Sequence, residues 1–86
     1  MAQSDIPEII DARGLSCPLP TLKLRRSLEN LKLGERLELH ATDPMAAIDV
    51  PHFCSQNGHL LISQTENSKA GIYTVYIFVI EKAVTF

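Results

Sequence analysis

The chain has 86 residues, with eight Lys and Arg against ten Asp and Glu and 45% hydrophobic letters. At roughly 100–150 residues per typical domain, this is one domain with a thin core and no room for a cofactor cleft walled by its own chain. Dehydrogenase, kinase and α/β-hydrolase chemistry is argued against, and a carrier, a binding module or a partner-dependent enzyme is favoured. No apolar run reaches the roughly 18 residues of a membrane span, and the opening Met-Ala-Gln-Ser-Asp lacks the basic and apolar regions of a signal peptide. Two cysteines are too few for a disulfide framework. The expectation is a reduced, cytoplasmic protein without membrane contact.

Residues 1–7 read as a lead-in ending at Pro7, and Glu8 to Asp11 as a short strand stopped by Arg13-Gly14. Pro18 fits a first helical position, where a missing N–H is harmless. Leu24, Leu28 and Leu31 then recur at helical spacing, so Pro20 to Leu31 is an amphipathic helix with Gly34 as its stop. Arg36 to Ala41 alternates with period two and reads as a strand with Leu37, Leu39 and Ala41 inward. Thr42-Asp43-Pro44 starts a second helical region, Asp43 capping. Pro51 predicts a break there: a turn at Met45–Ile48, a restart at Asp49 and a segment to Asn57-Gly58. His59–Glu66 and Gly71–Glu81 read as strands joined by the turn residues Asn67-Ser-Lys-Ala. The tail is 83–86.

The order β-α-β-α-β-β predicts an α/β two-layer sandwich, a mixed four-stranded sheet with both helices on one face. The last strand is apolar on both sides, with Tyr73, Val75, Ile77 and Val79 on one and Ile72, Tyr76, Phe78 and Ile80 on the other. One set belongs under the helices; the other is shielded by neighbouring strands or left for a partner.

Cys17 is the most informative residue. It immediately precedes the first helix, fenced by Gly14, Pro18 and Pro20. The positive end of a helix dipole favours a thiolate, and the Leu19 N–H is expected to face the sulfur. Arg13 to Arg36 holds six basic and two acidic residues, a net of +4, while the rest holds two basic and eight acidic, a net of −6. Arg13, Lys23 and Arg26 are therefore expected to lower the thiol pKa further and to steer an acidic partner surface. At about 100° per residue, Pro20, Leu24, Ser27, Leu28 and Leu31 form the core face, and Leu19, Leu22 and Arg26 point away. That outward patch, flanked by Lys23, is the expected docking surface.

Cys54, beside Phe53, has no cap, proline or basic cluster and reads as a packed thiol. His40, His52 and His59 show no ligand spacing, so no metal is expected. No glycine-rich phosphate loop or other cofactor motif is present, so no cofactor is expected. Asp11, Asp43 and Asp49 give no paired-carboxylate signature; Asp43 and Asp49 read as helix caps.

The segment Asp11-Ala-Arg-Gly14-Leu-Ser-Cys17-Pro18-Leu-Pro20 resembles the D-x-x-G-x-x-C-P-x-P signature of the TusA (SirA-like) family of small sulfur carriers. The likeness runs over residues 8–82, through Thr42-Asp43-Pro44, Asp49-Val-Pro51, Phe53-Cys54 and Gly58-His59. It implies a sandwich like the C-terminal domain of a bacterial translation initiation factor. It also implies a sulfurtransferase in which Cys17 relays sulfane sulfur as a persulfide, supported by Asp11, Gly14, Pro18 and Pro20. The implied donors are cysteine desulfurases, rhodaneses or DsrE-type proteins. The implied acceptors are sulfur-relay proteins of tRNA thiolation, molybdenum-cofactor maturation or sulfur oxidation. Two alternatives stand beside it. One is a non-catalytic regulatory or RNA-binding module, which the −6 remainder argues against. The other is a redox thiol protein, which needs Cys54 as the resolving cysteine.

Overall fold

The computed structural model describes residues 8–84, so the lead-in 1–7 and residues 85–86 of the tail lie outside the described residues. The elements are β1 (Glu8–Ala12), α1 (Leu19–Glu29), β2 (Arg36–Ala41), α2 (Ala46–Asn57), β3 (Leu60–Lys69) and β4 (Tyr73–Glu81). They form one four-stranded sheet in the order β1-β2-β4-β3. A helical crossover returns the chain in the same direction, so β1 and β2 pair in parallel, with Ile10 opposite Leu39 and Ala12 opposite Ala41. β4 inserts antiparallel between β2 and β3, placing Phe78 opposite both Leu39 and Gln64.

Period-two alternation sends Ile10, Ala12, Leu37, Leu39, Ala41, Phe78 and Ile80 to the face that both helices cover. Leu24 and Leu28 from α1 and Ala46, Val50 and Cys54 from α2 complete that core. Each large side chain buried there contributes about 1.5–3 kcal/mol relative to exposure. This is the expected two-layer sandwich. The opposite face carries Arg36 against Glu81 and His40 against Glu38 over half-buried Ile77 and Val79. Of the two apolar sets on β4, Tyr76, Phe78 and Ile80 lie under the helices.

Several boundaries differ from those the sequence suggests. α1 spans Leu19–Glu29 rather than Pro20–Leu31, and Pro18 is its N-cap residue rather than its first helical one. Leu31 lies beyond the helix but still packs on the core. Gly34 does not end α1. At φ +87° it makes the turn into β2, donating its N–H to Lys82 O at 2.8 Å.

α2 runs unbroken through Pro51. The carbonyl that proline leaves without a helical partner is Ala47 O, and it accepts a hydrogen bond from Gln64 Nε2 on β3 at 3.2 Å. A side chain from the neighbouring strand thus removes part of the cost that argues for a break. α2 ends at Gly58, left-handed at φ +76°, where an added Cβ would stand 2.8 Å from Val84 Cγ2.

The hairpin turn lies later than the Asn67–Ala70 cluster. Asn67, Ser68 and Lys69 pair with Val75, Thr74 and Tyr73, and the chain reverses at Ala70-Gly71. Both residues have positive φ, 54° and 68°, the backbone of a type I′ turn, whose twist matches the flanking strands.

Candidate functional site

Parallel β1 and β2 each lead into a helix, so the loops at their carboxyl ends, 13–18 and 42–45, emerge side by side. Two hydrogen bonds lock them together. Gly14 N–H donates to Thr42 Oγ1 at 2.9 Å, and Cys17 N–H donates to Asp43 Oδ2 at 2.9 Å. Gly14 sits at φ +81°, a backbone that disfavours any side chain. Asp43 is itself held by Met45 N–H, which donates to Oδ1 at 2.9 Å across the entry to α2. Cys17, next to last in the first loop, is half-buried, its thiol free and packed partly against the core.

The electrostatics at this sulfur reverse the expectation. The Cys17 pKa is pushed up to about 11, first by desolvation, then by hydrogen bonding to Asp49 and by the charges of Asp43 and Asp49. The expected cations face elsewhere. Arg13 donates Nε and a terminal nitrogen to the Asp11 carboxylate at 2.8 and 3.0 Å, holding that acid well below the usual range. Lys23 Nζ donates to Asp11 O at 2.8 Å. The Leu19 N–H does not face the sulfur but donates to Ser16 O at 2.9 Å. Cys17 therefore lies at a helix N-terminus yet holds its proton, because desolvation, reinforced by the carboxylates of Asp49 and Asp43, raises its pKa.

The other sequence-derived residues fall into two groups. Pro18 caps α1, and Pro20 is buried in its first turn on the core face. Leu19 and Leu22 are 49% and 53% exposed, and Lys23 and Arg26 are exposed with them. Met45 and Ile48 at the start of α2 are 49% and 63% exposed. These two apolar side chains were not singled out by sequence periodicity.

Sequence patterning also passed over Asp43 and Asp49 as partners of the thiol. Their one legible signal is that both flank the start of the helix following a strand parallel to β1.

Cys54 is buried among α2 and sheet side chains, and burial alone pushes its thiol up to about 11. His40 pairs with Glu38, His59 Nδ1 accepts the Ala83 N–H, and His52 is exposed. No group of three His, Cys, Asp or Glu side chains is placed to hold a metal ion among the described residues. No helix among those residues is long and apolar enough to cross a membrane.

The profile of the family described as Sulfurtransferase TusA matches residues 8–82. The chain belongs to the TusA family. A sulfur carrier protein TusA from Pseudomonas putida is 44% identical over 69 residues, covering 80% of this chain and 84% of its own. Those from Pseudomonas aeruginosa and Pseudomonas paraeruginosa are each 40% identical over 72 residues, covering 84% of this chain and 89% of theirs. Residues 11–20 run from the end of β1 through the first loop into α1, with Cys17 at the meeting point of two β–α loops.

Proposed function

We propose that this TusA protein is a partner-dependent sulfurtransferase that carries sulfane sulfur on Cys17. A donor protein presents a cysteine persulfide, Cys17 takes its outer sulfur to become Cys17–S–SH, and an acceptor thiol removes it in turn. The observation that carries this reading is the placement of Cys17. It is a half-buried free thiol anchored through its own N–H where two β–α loops meet, while the second cysteine is packed in the core. A carrier needs no cleft of its own, since its partners complete the reacting geometry.

The outward face of α1, with Leu19, Leu22, Lys23 and Arg26, is the surface offered to those partners, and Arg13 and Asp11 brace the loop beside it. Donors of the cysteine desulfurase, rhodanese or DsrE type, and acceptors in tRNA thiolation, molybdenum-cofactor maturation or sulfur oxidation, fit a carrier of this family. The cytoplasm fits a protein that works as a free thiol. A redox role is disfavoured because Cys54 is buried and cannot resolve a disulfide from the surface.

Incubation with a cysteine desulfurase and cysteine, followed by intact-protein mass spectrometry, tests the proposal. One added sulfur is expected on the native protein and on Cys54→Ala, and none on Cys17→Ala. Sulfur taken up equally by Cys17→Ala would overturn it.

A further inference from the structure

We propose that Asp43 is a positioning residue for sulfur transfer, its carboxylate clamping the Cys17 amide to the start of α2 so that the sulfur points one way. The proposal rests on Cys17 being the sulfur-carrying thiol. In the step it serves, Cys17–SH and R–S–SH give Cys17–S–SH and R–SH. The bond from Cys17 Sγ to the sulfane sulfur forms as the S–S bond of the donor breaks, and that bonding pair leaves on the donor's inner sulfur. The proton that Cys17 gives up to water is returned by water to that sulfur, so no external oxidant or reductant is required. Such a displacement needs the attacking sulfur in line with the bond that breaks, and a misplacement of about 1 Å can cost about a hundredfold in rate.

The first loop has no helix or strand of its own, and its amides show how it is held. Leu15 N–H donates to Ala12 O at 3.2 Å and Leu19 N–H to Ser16 O at 2.9 Å, both within the same stretch of chain. Pro18 has no N–H to offer. The Gly14 and Cys17 amides are the two that reach the second loop, at 2.9 Å to Thr42 Oγ1 and 2.9 Å to Asp43 Oδ2. Cys17 N is bonded to the Cα that carries the side chain. Fixing this amide therefore leaves mainly χ1, confined to its staggered wells, to aim the sulfur.

Asp43 is itself anchored on the far side. Its Oδ1 accepts Met45 N–H at 2.9 Å, and its backbone O accepts Ala46 N–H at 2.9 Å, where the chain enters α2. Ala46 and Val50 of that helix are fully buried in the core. A continuous path of packing and hydrogen bonds therefore runs from the core through α2 and Asp43 to the Cys17 amide. The residue type matters, because each oxygen of this one carboxylate takes a different N–H. An asparagine offers a single acceptor oxygen and turns its NH2 group toward the other amide. A charged acceptor also makes the stronger bond to an N–H.

Loading kinetics of Asp43→Asn and Asp43→Ala, measured over a range of concentrations of a persulfide-loaded desulfurase, test this beside alkylation by iodoacetamide. The small reagent approaches Cys17 from any open direction, whereas a protein donor does not. The maximal loading rate is expected to fall about tenfold in Asp43→Asn and further in Asp43→Ala, with the half-saturating donor concentration within about twofold of native. Alkylation of Cys17 is expected to stay at or above the native rate, with Cys54 unlabelled. An unchanged maximal rate overturns the proposal. So does a rise in the half-saturating concentration alone, which marks a docking residue, or alkylation that falls along with loading. Slow loading accompanied by Cys54 labelling overturns it too, since that is a loss of fold. Sulfur uptake by Cys17→Ala would instead count against the carrier function, and with it this positioning role.

Discussion

Cys17 and Cys54 hold their protons about equally tightly, each thiol pushed up to about 11, but the causes differ. For Cys54 the cause is burial alone, in a core built from α2 and the sheet, and only unfolding removes it. At Cys17 the desolvation is partial and is reinforced by two half-buried carboxylates, Asp49 and Asp43. A raised thiol pKa is therefore compatible with two fates, inert packing and held reactivity, and the groups around the sulfur distinguish them.

The largest contrast should appear in labelling. In the native protein Cys54 should react with a maleimide at least about a thousandfold more slowly than in denaturant, since exposure requires opening of the core. Cys17 should label in the native state. Comparable native rates for the two would erase the distinction.

Stability should separate them next. Cys54→Ser places a hydroxyl in the apolar core and should cost about 1–3 kcal/mol, read by chemical denaturation. Cys17→Ser should stay within about 0.5 kcal/mol of native while losing sulfur uptake.

A smaller effect lies at alkaline pH. Both thiols are weaker acids folded than unfolded, so the stability they contribute is fully present below the ordinary thiol value of 9.0 and is lost as pH rises through about 11. Thermal melts should show a decline across that window. Cys17→Ala and Cys54→Ala should each make it shallower. A decline unchanged in both variants would show that neither thiol holds its proton as described.

The smallest effect belongs to Asp43, whose pKa is lowered by the backbone N–H groups of Cys17 and Met45. Its contribution is present above the ordinary carboxylate range and disappears as pH falls through the lower folded value. Asp43→Asn should flatten the acid limb of the stability profile slightly.

The layered fold and the position of Cys17 were legible because they rest on local patterns. Leu24 and Leu28 at helical spacing, Leu37, Leu39 and Ala41 at strand spacing, and a cysteine before a proline-rich helix start all lie within short windows. The charge at the sulfur was not legible, because it depends on which side chains meet. Arg13 is captured by Asp11 two residues away, and Asp43 reaches Cys17 across 26 positions through the parallel pairing of β1 and β2. Counting charges along residues 13–36 thus assigned Cys17 a basic setting that the fold replaces with an acidic one. Pro51 was misleading for a related reason, since the group that satisfies Ala47 O belongs to another element. The hairpin turn was placed early because Asn67-Ser-Lys-Ala carries turn residues too, and cross-strand register decides between neighbouring turn signals.

The most direct measurement is site localisation of transferred sulfur on the unmodified protein. The protein is loaded by a desulfurase and cysteine, free thiols and persulfides are trapped, and peptides are read by mass spectrometry. The extra sulfur should be found on the peptide carrying Cys17, with Cys54 recovered as an unmodified thiol. Sulfur on the Cys54 peptide, or none on the Cys17 peptide while loading proceeds, would contradict the assignment of Cys17 as the carrier.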